Sequence, residues 1–98
     1  LVHRLDDIRH VLGARVRVTS GYRCPAHNAA IGGDPNSAHL TGQAVDLRCR
    51  TNTKRCAMLS AFFAVWPAEL RRLELGTAHL HLECRPQRPP AVWLGKSR

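Results

Sequence analysis

The first third of the chain shows helical and then strand-like spacing of its hydrophobic residues. Apolar side chains recur every three or four positions, at Leu1, Leu5, Ile8 and Leu12. This spacing predicts an amphipathic helix, and Gly13 predicts its end. Residues 15–19 alternate between polar and apolar side chains, which predicts a half-buried strand. After a turn at 20–23, Pro25 predicts the start of a short helix that reaches Ile31.

Residues 43–49 predict a second strand whose two faces differ in chemistry. One face is apolar and carries Val45, Leu47 and Cys49. On the other face an acid, Asp46, interrupts an otherwise apolar run. A helix follows over residues 54–65, with Thr53 as its predicted cap.

The last third predicts a β-hairpin of residues 71–75 and 78–84. The second of these strands has a core-facing side, formed by Leu80, Leu82 and Cys84. Its polar side carries His79, His81 and Glu83. A two-residue turn at Gly76-Thr77 would place Glu74 directly opposite His79, on the same polar side. A proline-rich connector and an edge strand over residues 91–94 end the pattern.

Length and composition favour one small globular domain over residues 1–98. No apolar run is long enough for a membrane-spanning helix, so no membrane span is expected. The sequence starts at Leu1 without a visible signal peptide, which favours a processed product or a part of a longer protein. The oligomeric state stays open.

The chain is strongly basic, with 15 Lys and Arg against seven Asp and Glu and a net charge of +8. Such a charge favours polyanionic partners. The arginines are scattered, however, and no aromatic-rich basic strand or recognition helix accompanies them. We therefore expect no specific nucleic-acid partner, although a basic nucleic-acid binder remains the weakest alternative. Trp66 and Trp93 are expected to pack rather than to bind sugars.

The four cysteines lie at positions 24, 49, 56 and 84, without a C-x-x-C pair, so a zinc ribbon is not expected. If Asp46 lies opposite His81 on antiparallel strands, Cys49 falls opposite Ala78 and far from Cys84. We expect this arrangement, with Cys49 and Cys84 as free, buried thiols. Paired cysteines in a secreted protein remain the alternative.

Histidines and carboxylates on the polar faces predict a zinc site. A catalytic zinc ion takes about three protein ligands and keeps one position for water. His81 supplies one ligand, and His39 and Asp46 supply the other two if their strand lies beside that of His81. Gly42 allows the chain to turn back between them. The predicted fold class is therefore α+β: a small antiparallel sheet with helices packed on one face and a zinc cleft on the other.

These residues stand in motifs that resemble the M15 family of zinc peptidases. The motifs are Ser20-Gly21-Tyr22-Arg23, Pro35-Asn36-Ser37, the pattern Ser-x-His-x-x-Gly-x-Ala-x-Asp from Ser37 to Asp46, and His81 on a late strand. The family includes D-Ala-D-Ala carboxypeptidases, dipeptidases and phage endolysins, within a larger group that holds lysostaphin-type enzymes and the hedgehog signalling domain. The resemblance runs from the first helix to Trp93, and the length is similar to that of the shortest subfamily.

The resemblance implies a role for each matching residue. His39, Asp46 and His81 match the zinc ligands. Arg23 matches the arginine that binds a backbone or terminal carboxylate of the substrate, and Ser37 matches a serine that contacts substrate near the metal.

The general base departs from the family pattern. Many members carry an acid three residues before the last zinc-binding histidine, and here that position is Ala78. Glu74 and Glu83 are the substitutes, and we favour Glu74 because short members carry a Glu on the strand before that histidine. Glu83 could instead orient an imidazole. His79 is similar to a histidine that hydrogen-bonds the tetrahedral intermediate in related enzymes.

The resulting expectation is a zinc metallopeptidase that cleaves D-Ala-containing peptide bonds of bacterial peptidoglycan and so acts at the cell wall. Whether it acts as a carboxypeptidase or as an endopeptidase stays open. The alternative is a non-catalytic zinc-binding or structural module of a larger phage or secreted assembly. The missing acid at Ala78 leaves the non-catalytic zinc module open.

Overall fold

The computed structural model describes residues 2–13, 15–21, 24–34 and 36–95. In this part of the chain, helices and strands follow one another largely as the hydrophobic pattern predicts. The elements are α1 (Val2–Leu12), β1 (Val18–Ser20), α2 (Pro25–Ala30), β2 (Ala44–Arg48), α3 (Asn52–Val65), β3 (Arg72–Leu75), β4 (His79–Glu83) and β5 (Ala91–Leu94). Two short 3-10 turns, Ala38–Thr41 and Ala68–Leu70, complete them. No helix in the described ranges is long and apolar enough to cross a membrane.

The five strands form one sheet in the order β1-β2-β4-β3-β5, and the fold is α+β as predicted. The expected antiparallel sheet is nevertheless a mixed one, because β5 runs parallel to β3. Strand β4 already has β2 on one edge and β3 on the other. The chain leaving β4 therefore passes β3 and pairs on its outer edge. Since β3 and β4 are antiparallel, this return gives β5 the direction of β3.

The hairpin between β3 and β4 has a longer turn than the sequence predicts. Leu75 pairs with Leu80 and Glu74 pairs with His81, so the predicted pairing of Glu74 with His79 was wrong. The Gly76 N–H donates to the His79 carbonyl at 3.0 Å and closes a four-residue turn. Because the register moves by two residues, Glu74 stays on the polar side of the sheet.

Helix α3 begins earlier than predicted and is anchored to this turn. Thr51, not Thr53, is the cap, and its hydroxyl accepts a hydrogen bond from the Lys54 N–H at 3.1 Å. Arg55 in the first turn donates to the Thr77 carbonyl at 2.6 Å. This contact joins the helix to the hairpin turn over a separation that local sequence patterns cannot reveal.

The hydrophobic core lies between the sheet and helices α1 and α3. It contains Ile8 from α1, the residues Met58, Ala61, Phe62 and Trp66 at α3, and the inward side chains Val45, Leu47, Cys49, Leu73, Leu80 and Leu82 of the sheet. At the end of α3, the indole N–H of Trp66 donates to the buried Glu83 carbonyl at 3.0 Å. The opposite face of the sheet is left for polar side chains, as the alternation predicts.

Strands β2 and β4 are antiparallel, with Asp46 opposite His81. The Cys49 N–H accordingly donates to the Ala78 carbonyl at 2.9 Å, which places Cys49 at one end of β4 and Cys84 at the other. All four cysteines are free: Cys49 is buried, Cys84 is half-buried, and Cys24 and Cys56 are exposed. Burial raises the pKa of the Cys49 thiol above its usual value.

We expect a thiol titration of the denatured, unreduced protein to give about four thiols per chain. The strand register separates Cys49 from Cys84, and a disulfide requires Cα atoms within about 7 Å. A count near zero would contradict the free thiols of the structure, because all four cysteines would then be paired.

Candidate metal centre

Strand pairing brings together two of the predicted ligands. Asp46 in β2 and His81 in β4 are direct partners across the antiparallel ladder, so their side chains leave the sheet on the same face. The hydroxyl of Thr19 in β1 donates to the Asp46 carbonyl at 3.3 Å, so β1 is also tied to this position. The sheet therefore fixes both backbones from which these ligands project.

The third predicted ligand, His39, lies on the 3-10 turn before β2. The Ser37 hydroxyl caps this turn by accepting the His39 N–H at 3.3 Å. Gly42 ends the turn with a φ of 68°, a left-handed conformation that favours glycine. The chain thus reverses between His39 and Asp46, as the sequence predicts, and His39 becomes buried against the sheet.

The three side chains converge on one point. One nitrogen of each imidazole and one carboxylate oxygen of Asp46 all lie within 4.8 Å of one another. His81 Nδ1 is 2.8 Å from Asp46 Oδ1, and His39 Nε2 is 3.4 Å from Asp46 Oδ2. Ligand atoms around a tetrahedral zinc ion are separated by about 3.3 Å, since each lies about 2.0–2.2 Å from the metal. The cluster therefore fits a small divalent cation after minor side-chain adjustment.

The hydrogen bond of the His39 ring to the backbone supports this fit. Its Nδ1 lies 2.6 Å from the Gly21 carbonyl oxygen, which can only accept, so Nδ1 donates. In the neutral ring, Nε2 then directs a lone pair toward the Asp46 carboxylate. A cation placed between these two electron-rich atoms would relieve their mutual repulsion. A histidine held in this way through its other nitrogen is the usual arrangement of a metal ligand.

Hydrogen bonding within the cluster shifts the pKa values of Asp46 and His81 in opposite directions. Burial alone raises the pKa of Asp46, but hydrogen bonds from His39 and His81 and their charge outweigh it and hold the pKa well below its usual range. Burial alone lowers the pKa of His81, whereas hydrogen bonds to Asp46 and Glu83 raise it to about 9. A proton shared by His81 and Asp46 must therefore leave before both atoms can bind a metal ion.

Glu83 is a buried carboxylate that contacts the far side of His81. Its Oε1 lies 3.8 Å from His81 Nε2 and 3.3 Å from Arg72 Nε, and its Oε2 lies 3.9 Å from Arg85 Nη1. Burial tends to raise the pKa of Glu83, but His81 and Arg72 lower it below the usual value. The carboxylate stays ionised and can orient the imidazole whose Nδ1 faces the cluster.

Glu74 lies beside His81 on the neighbouring strand, in a different environment. Its Oε2 accepts a hydrogen bond from the Trp93 indole N–H at 2.9 Å, and its Oε1 is 3.9 Å from His79 Nε2. The His79 ring packs over Gly76, where a Cβ atom would overlap it. His79 Nε2 is buried and has no hydrogen-bond partner among the described residues.

A cleft of about 780 Å³ opens over the cluster. His39, His81, Glu74 and Glu83 line it together with Ser37, and the cationic side chains on its walls are Arg72, Arg85 and Arg88. His79 is not among the described residues that line it. Arg23, the predicted carboxylate-binding residue, lies outside the described residues. The cleft is large enough for a short peptide segment and places polar groups beside the three candidate ligands.

A family model with the description Peptidase M15 matches residues 1–83. The chain belongs to the peptidase M15 family. The matched range contains His39, Asp46 and His81, so the buried cluster lies within the peptidase region. A search of curated proteins found no match.

Membership in the M15 family makes the protein a hydrolase of the peptidase class, and its His-Asp-His cluster could hold a metal ion. Sequence reasoning missed the arginines that contact Glu83 and the tryptophan that contacts Glu74. Arg72 lies two positions before Glu74 and so shares the polar side of β3, and this alternation could have indicated its contact with Glu83. Trp93 carried no such signal, because its contact depends on the parallel pairing of β5.

Removal of one imidazole should abolish metal binding by this M15 peptidase. We expect about one divalent metal ion per purified chain, and a loss of affinity of more than about 100-fold in His39→Ala and in His81→Ala, because a ligand is lost from a three-ligand site. His27→Ala is the matched control, since His27 is exposed on α2 and outside the cluster. Metal analysis after dialysis measures the effect. Full retention in both ligand variants would exclude this site.

Proposed function

We propose that the protein is a zinc peptidase that hydrolyses D-Ala-containing peptide bonds of peptidoglycan, and that it acts at the cell wall. The observation that carries the proposal is the convergence of His39, Asp46 and His81 beside a cleft that His39 and His81 line, in a chain of the M15 family. Two imidazoles and one carboxylate are a common ligand set of catalytic zinc sites, which keep one position for water or substrate. D-Ala specificity rests on the resemblance of the motifs from Ser20 to Asp46.

In this proposal, His39, Asp46 and His81 would hold a zinc ion, which would polarise the scissile carbonyl and lower the pKa of the attacking water. The protein residues then position substrate and move the proton. Glu74 accepts the proton of the water through its carboxylate and passes it to the leaving amine. Glu74 is suited to this role because it lines the cleft next to His81 and is not among the three candidate ligands.

The contacts of Glu83 support a different role for that carboxylate. Both of its oxygens face cationic side chains, and its residue is only 3% exposed. Glu83 also lines the cleft, but its Oε1 faces the outer nitrogen of His81. We therefore assign Glu83 to holding the His81 ring, with its Nδ1 toward the zinc ion.

The other predicted residues take supporting roles in this proposal. Ser37 lies at the cleft and caps the turn that carries His39, so it links substrate contact to ligand position. Arg23 binds a substrate carboxylate, for which its planar donor fork is suited. His79 faces Glu74 from beneath the hairpin turn, so we assign it to supporting Glu74 rather than to the tetrahedral intermediate.

A second candidate is a zinc-binding or structural module without catalysis. The observation that favours it is Ala78, which occupies the position where many family members carry an acid. This candidate predicts normal zinc binding without hydrolysis. Digestion of purified peptidoglycan, described below, separates it from the peptidase.

The choice of base can be tested with isosteric variants. Glu74→Gln should bind zinc normally but lose on the order of 100-fold or more in kcat, because an amide cannot accept the proton. Glu83→Gln should retain more activity and instead weaken zinc binding by about tenfold, since it acts through His81. Peptide hydrolysis and metal titration measure the two effects. A large loss of kcat in Glu83→Gln and almost none in Glu74→Gln would reverse the assignment.

Digestion of purified peptidoglycan tests the function itself. The zinc-loaded protein should release fragments identified by mass: free D-Ala for a carboxypeptidase, or longer peptides for an endopeptidase. Chelation should stop the release and added zinc should restore it, and His81→Ala serves as the inactive control. Zinc-loaded protein that releases nothing would support the non-catalytic module.

A further inference from the structure

The last strand of the sheet lies outside the range that matches the M15 family model. That range ends at residue 83, whereas β5 covers Ala91–Leu94. Strand β5 nevertheless pairs with β3, and Trp93 is the direct partner of Glu74. Glu74 is also the partner of His81 on its other side. His81, Glu74 and Trp93 thus form one row across three adjacent strands, on the face that carries the cleft.

Trp93 contacts Glu74 through a directed hydrogen bond. The indole N–H donates to Glu74 Oε2 at 2.9 Å, within the range of a charge-assisted bond. The chain also approaches Glu74 closely at Gly95, where an added Cβ atom would overlap Oε1. The end of β5 thus holds Oε2, and the chain at Gly95 passes beside Oε1.

The indole ring is itself held by the residues around the site. The Arg72 guanidinium lies 5.0 Å from the ring centroid, in cation–π geometry, and the His81 ring is 6.2 Å away in an edge arrangement. Arg72 also donates to the Pro89 carbonyl at 2.6 Å, which ties the connector before β5 to the site. Trp93 therefore packs against Arg72 and His81 and also contacts Glu74.

We propose that Trp93 is a positioning residue for Glu74. Its N–H fixes Oε2, selects one rotamer of a side chain with three rotatable bonds, and leaves Oε1 to accept the proton. This inference rests on the proposed function, in which Glu74 is the general base. It adds a residue from a strand beyond the matched peptidase region. The site is therefore complete only when β5 is paired with β3.

The contact can be measured without any assay of activity. The chain has two tryptophans, so a proton–nitrogen NMR spectrum should show two indole signals, and Trp93→Phe identifies one by its loss. Glu74→Gln should shift the Trp93 signal and leave that of Trp66 in place, because Trp66 donates to the Glu83 carbonyl. An unchanged Trp93 signal in Glu74→Gln would overturn the contact, whether or not the protein hydrolyses peptides.

The kinetic consequence is tested by a double-variant cycle on the zinc-loaded protein. Trp93→Phe keeps an aromatic ring and removes the donor, so it should lower kcat about tenfold, with KM and zinc content unchanged. Adding Trp93→Phe to Glu74→Gln should cause no further loss if the tryptophan acts through the carboxylate. Val92→Ala, at an exposed neighbour on the same strand, is the matched control and should keep wild-type kcat.

Three outcomes are distinct. Full kcat in Trp93→Phe would overturn the positioning role. So would an equal loss of kcat when Trp93→Phe is added to the wild-type protein and to Glu74→Gln. A wild-type protein that binds zinc and hydrolyses no peptide would overturn the proposed function, and with it the catalytic meaning of the contact. The NMR result would then still decide whether Trp93 and Glu74 are bonded.

Discussion

The antiparallel pairing of β2 with β4 is the constraint on which the site depends. It places Asp46 directly opposite His81, while the residues before and after each of them face the core. Because side chains alternate along a strand, the same register that packs Val45 and Leu47 beneath the helices directs Asp46 away from them. A slip of one residue would bury the ligands in the core and expose the apolar side chains. Core packing and ligand placement are therefore fixed together.

Burial of charge is the second feature that defines the site. Asp46 and Glu83 are 8% and 3% exposed, and ionised carboxylates at such positions are costly unless they are paired. Here His39, His81, Arg72 and Arg85 surround them. Several other cations, Arg15, Arg17, Arg48, Arg50 and Lys54, line a separate groove of about 510 Å³ away from the cluster. Among the described residues, one group of cations thus neutralises the site and another lies outside it.

Strand alternation and local turns could be predicted from the sequence, and they account for most of the fold. The faces of β2 and β4, the reversal at Gly42 and the approach of His39 to Asp46 all follow from residues close together in the chain. The hairpin register could not be predicted, because Arg55 of α3 contacts the turn from 22 positions away. The parallel direction of β5 was also missed, since it depends on which sheet edge remains free. For the same reason, the contact of Trp93 with Glu74 was not visible in the sequence.

The central claim is that His39, Asp46 and His81 form one catalytic zinc site. A crystal structure of the zinc-loaded protein, with anomalous data collected at the zinc edge, tests it most directly. The account predicts one peak about 2.0–2.2 Å from His39 Nε2, an Asp46 carboxylate oxygen and His81 Nδ1, with the fourth position open to the cleft. A zinc peak elsewhere, or one bound by only one of these residues, would contradict it.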